Sequence, residues 1–169
     1  LKAFGMKVPA SPNTALPVMT FDNNTTIHLN GEIIKIRHLP NAHTDGDSFV
    51  QFENANVLHT GDAFFNGIYP FIDTEHGGSI SGMIKALNTI LTFANDNTKI
   101  IPGHGPLANK VQLVAFRDML MKVEKLAIAA RAQKQSSNDL SATPQIKKID
   151  ATWGKGFLDA KKFLKIVYS

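Results

Sequence analysis

Cysteine is absent from the 169 residues. That excludes a disulfide framework, a thiolate metal site and a cysteine nucleophile, so any metal must be held by His, Asp or Glu. Long hydrophobic runs are also missing. No apolar stretch approaches the ~20 residues that a membrane helix needs, so no membrane contact is expected. No secretory signal is visible, and the compartment stays open. The chain begins at Leu1 rather than methionine, so its native start is not visible. Repeats and low-complexity tracts are lacking too. A dense basic face is not evident: the net charge is +4, and the lysines of the last third fall on the wet faces of amphipathic helices. A nucleic-acid surface would need a basic stripe with groove-reading or stacking elements, so no nucleic-acid partner is expected. What is present is 43% hydrophobic residues, enough for the core of one domain or of part of a larger one.

Residues 1–17 read as an irregular lead-in, and 18–169 as the folded unit. Short β-prone runs occupy 18–22 and 25–29. Asn30-Gly31 is a two-residue hairpin turn, because both positions tolerate positive φ. Residues 33–39 form the partner strand. After the loop 42–47, strands follow at 48–53 and 57–60. The stretch 63–78 has no period but carries Phe64, Phe65, Tyr69 and Phe71, as loops packed over a binding site do. Ser79 caps a helix with Ile80, Met83, Ile84, Leu87 and Leu91 at helical spacing, ending near Asn95. Residues 99–101 are a strand. Asn109 and Gln112 form a capping box for a long helix buried through Leu113, Phe116, Leu120, Val123 and Ala127. The tail holds a short segment at 139–142, a turn at Thr143-Pro144 and a last helix from about Asp159. The order predicts an α/β fold, a mixed β-sheet covered by helices on one face. Few elements remain to cover the other face.

Three polar residues share one kind of position. His43 follows a strand, Asp62 ends the strand 57–60, and His104 follows the strand 99–101. Side chains converge at strand ends while the backbone stays rigid. Each has glycine nearby, at Gly46, Gly61, Gly103 and Gly105, which permits sharp turns and close approach. Two imidazoles and a carboxylate suit zinc. Asp45 and Asp47 are candidates to orient His43, though their commoner role is to close a tight turn. His59 is a candidate to support Asp62, and Asn66 and Tyr69 to touch substrate. His28 and His38 read as sheet-face residues and His76 as a solvated one.

The strings Ala-His-Thr-Asp-Gly-Asp-Ser at 42–48, Leu-His-Thr-Gly-Asp at 58–62 and Ile-Pro-Gly-His-Gly-Pro at 101–106 resemble, in order and spacing, the last three metal motifs of the metallo-β-lactamase superfamily. Residues 61–73, and Asp150, Trp153-Gly154 and Gly156-Phe157, are similar to its cyclase-like, uncharacterised branch. The resemblance implies the C-terminal half of an αββα sandwich holding two zinc ions. His43 would join the first, Asp62 would bridge both and His104 would join the second. It implies a hydrolase in which zinc-bound hydroxide attacks an ester, thioester, lactone or lactam-type bond of a small molecule, or a phosphoester. The family's leading His-x-His-x-Asp-His motif belongs upstream of His43 and is absent. Two expectations follow. The chain is a fragment that is inactive alone and binds zinc weakly or not at all. Alternatively, it is a non-catalytic half-domain that buries its open sheet face in a homodimer.

Overall fold

The computed structural model describes residues 9–169. Residues 1–8 of the expected lead-in lie outside the described residues. A 3-10 turn at Asn13–Ala15 is followed by irregular chain up to the first strand. The expected strand over 18–22 is therefore a correction. Its β-prone side chains meet no partner, and Val18 is fully exposed.

Five strands form one sheet in sequence order: β1 (Asn24–Leu29), β2 (Glu32–Leu39), β3 (Asp47–Phe52), β4 (Val57–His59) and β5 (Lys99–Ile101). The hairpin turn at Asn30 and Gly31 has φ of 52° and 77°, as a two-residue turn of this hand requires. β1 to β4 pair antiparallel, and β5 joins β4 parallel. A parallel partner needs a crossover. Here the crossover spans residues 60–98 and contains α1 (Ile80–Leu91). The Ser79 hydroxyl accepts from the Gly82 amide, as its cap position predicts. α1 ends at Leu91, short of the expected Asn95, because the chain breaks into turns there.

α2 (Lys110–Ala132) opens with the reciprocal Asn109–Gln112 capping box. The tail folds into α3 (Ser137–Ser141), α4 (Pro144–Trp153) and α5 (Ala160–Tyr168). The Thr143-Pro144 turn is thus a helix start. Thr143 caps it, and proline fits the first helical turn, where no amide bond is lost.

Phe49, Leu58 and Ile100 are buried in one core cluster with Met83, Leu87 and Ile90 of α1 and Leu113, Phe116 and Leu120 of α2. This α/β unit covers a mixed sheet on one face. Alternation along the strands turns Thr25, Ile36, Val50, His59 and Ile101 to the other face, with Ile27, Ile34, Phe52 and Val57 in the next row. None of these is buried. Where β2 runs beyond the helices, the polarity is inverted. Lys35 and Arg37 lie on the helix side, with Arg37 capping the Phe93 ring at 4.3 Å, while Ile34 and Ile36 lie on the open side. No described helix is long and apolar enough to cross a membrane.

Candidate metal centre

The segment from Thr60 to Ser79 braces three loops at one end of the sheet. His43 lies in the β2–β3 loop. Its carbonyl accepts from the Asp73 amide at 2.8 Å, and the Asp45 amide donates to the His76 carbonyl at 2.9 Å. The Ser79 amide donates to the Asn41 and Ala42 carbonyls. Gly78 presses so closely that a Cβ there would lie 2.1 Å from the His43 oxygen. The imidazole is fixed as well. Nδ1 sits 2.7 Å from the Phe71 carbonyl. A carbonyl only accepts, so Nδ1 carries a proton, and Nε2 is the nitrogen left to face the centre. That Nε2 points at Asp62 Oδ2, 3.7 Å away.

Asp62 follows β4 in the 3-10 turn Gly61–Ala63, entered through Gly61 at φ 51°. The Gly61 amide donates to His59 Nδ1 at 3.2 Å. The Gly103 amide donates to the Gly61 and Phe64 carbonyls. A Cβ on Gly103 would lie 2.2 Å from Asp62 Oδ1, so this position needs glycine for close approach.

His104 follows β5 and bridges to Phe65. Its carbonyl accepts from the Asn66 amide at 2.8 Å, and the Asn66 side chain donates to the Pro106 carbonyl at 3.0 Å. The ring stacks on Phe65 at 4.7 Å and 18°. Its Nε2 lies 3.4 Å from Asp62 Oδ1. The two histidines thus face different oxygens of one carboxylate.

These separations suit a shared cation. Two donors each ~2.1 Å from a tetrahedral zinc lie roughly 3.4 Å apart. The protonated Nδ1 held by a carbonyl is the support that metal-binding histidines commonly have. The donor set is nevertheless divided, one imidazole to each oxygen. Among the described residues, no group of three or more His, Cys, Asp or Glu is placed to hold a metal ion by itself.

The other candidates take defined places. Asp47 accepts from the Thr44 amide and hydroxyl and closes the Thr44–Asp47 turn, its expected commoner role. Asp45 packs its Cβ against Gly77, and its carbonyl meets His38 Nε2 at 2.6 Å. His59 supports the Gly61 turn, and Asn66 ties the aromatic segment to the His104 loop. Tyr69, the other candidate for substrate contact, is 1% exposed, stacks on Phe163 at 4.7 Å, and donates its amide to the Trp153 carbonyl. His76 pairs with Asp73 at 2.8 Å.

Gly103 acts through having no side chain, the close approach expected of the flanking glycines. Sequence reasoning missed two participants. The Phe71 carbonyl acts through backbone, which residue identity does not reveal. Phe157 arrives from the tail and sets its ring 6.0 Å from His104. The aromatic richness of 63–78 was the available signal for the first, and the Gly156-Phe157 likeness for the last.

No family model matches the chain, and no curated protein matches it. Solved structures do. The sec-alkylsulfatase Pisa1 from Pseudomonas sp. matches over 89% of this chain and 26% of its own, with TM-score 0.69 and 14% identity. A metallo-β-lactamase from Pontibacter korlensis matches over 64% of this chain and 51% of its own, with TM-score 0.53 and 17% identity. TTHA1623, solved in a di-iron-bound form, matches over 68% and 53%, with TM-score 0.51 and 23% identity. The chain therefore has the metallo-β-lactamase fold, and it spans about a quarter to a half of these relatives' length.

Proposed function

We propose that this chain supplies one half of a dinuclear zinc centre in a hydrolase of metallo-β-lactamase fold. The observation that carries the reading is the pairing of His43 and His104 with separate oxygens of Asp62. His43 would hold one zinc, His104 the other, and Asp62 would bridge them. Zinc so held supplies Lewis acidity and an activated water at neutral pH. This chain's own residues fix the geometry. Phe71 holds the His43 tautomer, Gly103 admits the carboxylate, and Phe65 orients His104. Each zinc would receive only two donors here, so the remainder must come from a second layer laid on the open sheet face. The substrate class is a small molecule with an ester, thioester, lactone or lactam-type bond. The neighbours named as a β-lactamase and a sec-alkylsulfatase support hydrolysis in general.

A zinc titration followed by the ring resonances of His43 and His104 tests this. Both rings should shift together, weakly in this chain alone. Failure of either ring to respond at millimolar zinc would sink the reading. Hydrolysis of an ester and lactone panel by the zinc-loaded protein, with the second layer present, tests the activity.

The apolar rows of the open face favour one second reading, in which a copy of this chain covers them. Light scattering across a concentration series decides it: a dimer mass supports it, and a monomer throughout removes it.

A further inference from the structure

Phe157 is the only exposed aromatic side chain among the described residues, at 44%. It is not exposed at random. The tail is pressed onto the segment that braces the candidate centre. A Cβ on Gly156 would lie 2.9 Å from the Ile68 side chain, and the Trp153 carbonyl takes the Tyr69 amide. Asp150 Oδ1 accepts from the Ala160 amide at 2.7 Å and so closes the loop between α4 and α5. These contacts aim the Phe157 ring at His104, edge-on at 61°, with the Phe65 ring 6.2 Å away. The three rings form a triangle: the buried Phe65 ring stacks on the His104 imidazole, and the half-wet Phe157 ring stands edge-on beside both.

Phe65 beside it is buried, whereas the Phe157 ring is held half in water 6.0 Å from the His104 imidazole, so it offers apolar surface to whatever approaches that imidazole. We propose that Phe157 is a specificity-determining wall. It selects substrates that carry an aryl or bulky apolar group next to the bond under attack. The claim rests on the reading of His104 as part of the reaction centre. It adds the chemistry of the neighbouring group. Rigid aromatic contact at a site rim gives selectivity at low conformational cost.

The test uses the whole 169-residue chain and two neutral probes, N-benzylacetamide and N-methylacetamide. Ring resonances of His104 and Phe157 are followed by NMR during titration. The benzyl amide should shift both rings saturably, and the methyl amide should not. Phe157→Ala should weaken the His104 response by about fivefold to tenfold, as loss of one aromatic contact predicts. Phe157→Leu should weaken it less. Val111→Ala, a change at an exposed apolar residue on α2, should leave it unchanged. Equal responses to both amides would overturn the proposal, as would a Phe157→Ala chain with an unaltered thermal midpoint and an unaltered benzyl response. A parallel zinc titration separates the two readings. If zinc leaves His104 unmoved while the benzyl amide still discriminates, the metal reading falls and the apolar wall stands.

Discussion

The two histidine rings of the candidate centre are fixed by different physics. Both walls are stitched by backbone hydrogen bonds and close on a glycine. The His43 ring is then held by a carbonyl, and the His104 ring by stacking on Phe65. Side-chain exposure follows the same division, 17% for His43 against 49% for His104. The difference teaches where each wall is vulnerable. A backbone anchor survives substitution of the residue that provides it, whereas a side-chain anchor does not.

The largest effect should come from the residue both walls share. Asp62→Asn keeps the shape and removes the charge that two cations would bridge. Losing a supporting partner of a ligand costs about 10-fold to 100-fold in metal affinity, and losing the ligand itself should exceed ~100-fold. Zinc-induced shifts of both His43 and His104 should vanish together. Survival of one shift would show that the walls bind independently.

Next come the two glycines on which the walls close. Gly78→Ala would drive a methyl into the His43 carbonyl, at 2.1 Å. Gly103→Ala would drive one into Asp62 Oδ1 and the Gly61 backbone, at 2.2 Å and 2.7 Å. Backbone cannot swing aside as a long side chain can. Each should destabilise by about 1–3 kcal/mol, the usual range for overpacking. Thermal denaturation measures that loss. The zinc response separates the two, since only Gly103→Ala displaces the carboxylate directly.

A gentler pair tests the comparison itself. Phe65→Leu removes the ring stacked on His104 and should cost about 1–2 kcal/mol, with a visible change in the His104 ring environment. Phe71→Leu leaves the carbonyl that holds His43 Nδ1. Its cost should be smaller, and the His43 tautomer, read from nitrogen chemical shifts, should persist. A lost tautomer would show that the Phe71 side chain fixes this wall after all.

Much of this division was hidden in the sequence. The ligand trio was legible because His, Asp and glycine stand in recognisable strings at strand ends. The helices were legible through apolar spacing and caps at Ser79 and Asn109. Val18 to Asp22 misled, because β-propensity records side-chain fit and not the presence of a partner strand. α4 was missed because Pro144 reads as a turn until its place in the first helical turn is seen. The Phe71 carbonyl could not be read at all, since every residue has one. Only the fold decides which carbonyl meets an imidazole.

Tyr69 sits between the two anchors, four residues from Phe65 and two from Phe71, and gives the smallest expected effect. Burial, with the negative charge of Asp150 adding to it, raises its phenol well above the ordinary value of 10. A group whose pKa is raised on folding contributes stability that is whole below its unfolded pKa. That contribution is lost as pH rises from 10 toward the folded value, because the unfolded chain ionises first. Tyr69→Phe should therefore change little at pH 7 and lose less stability than the parent above pH 10. Circular dichroism melts from pH 8 to pH 11.5 would show the two chains diverging only at the alkaline end. If the phenol anchors the segment that carries both walls, the zinc responses of His43 and His104 should weaken together there in the parent chain. Loss at His104 alone would mean that the aromatic wall yields first and that the hydrogen-bonded wall does not depend on Tyr69.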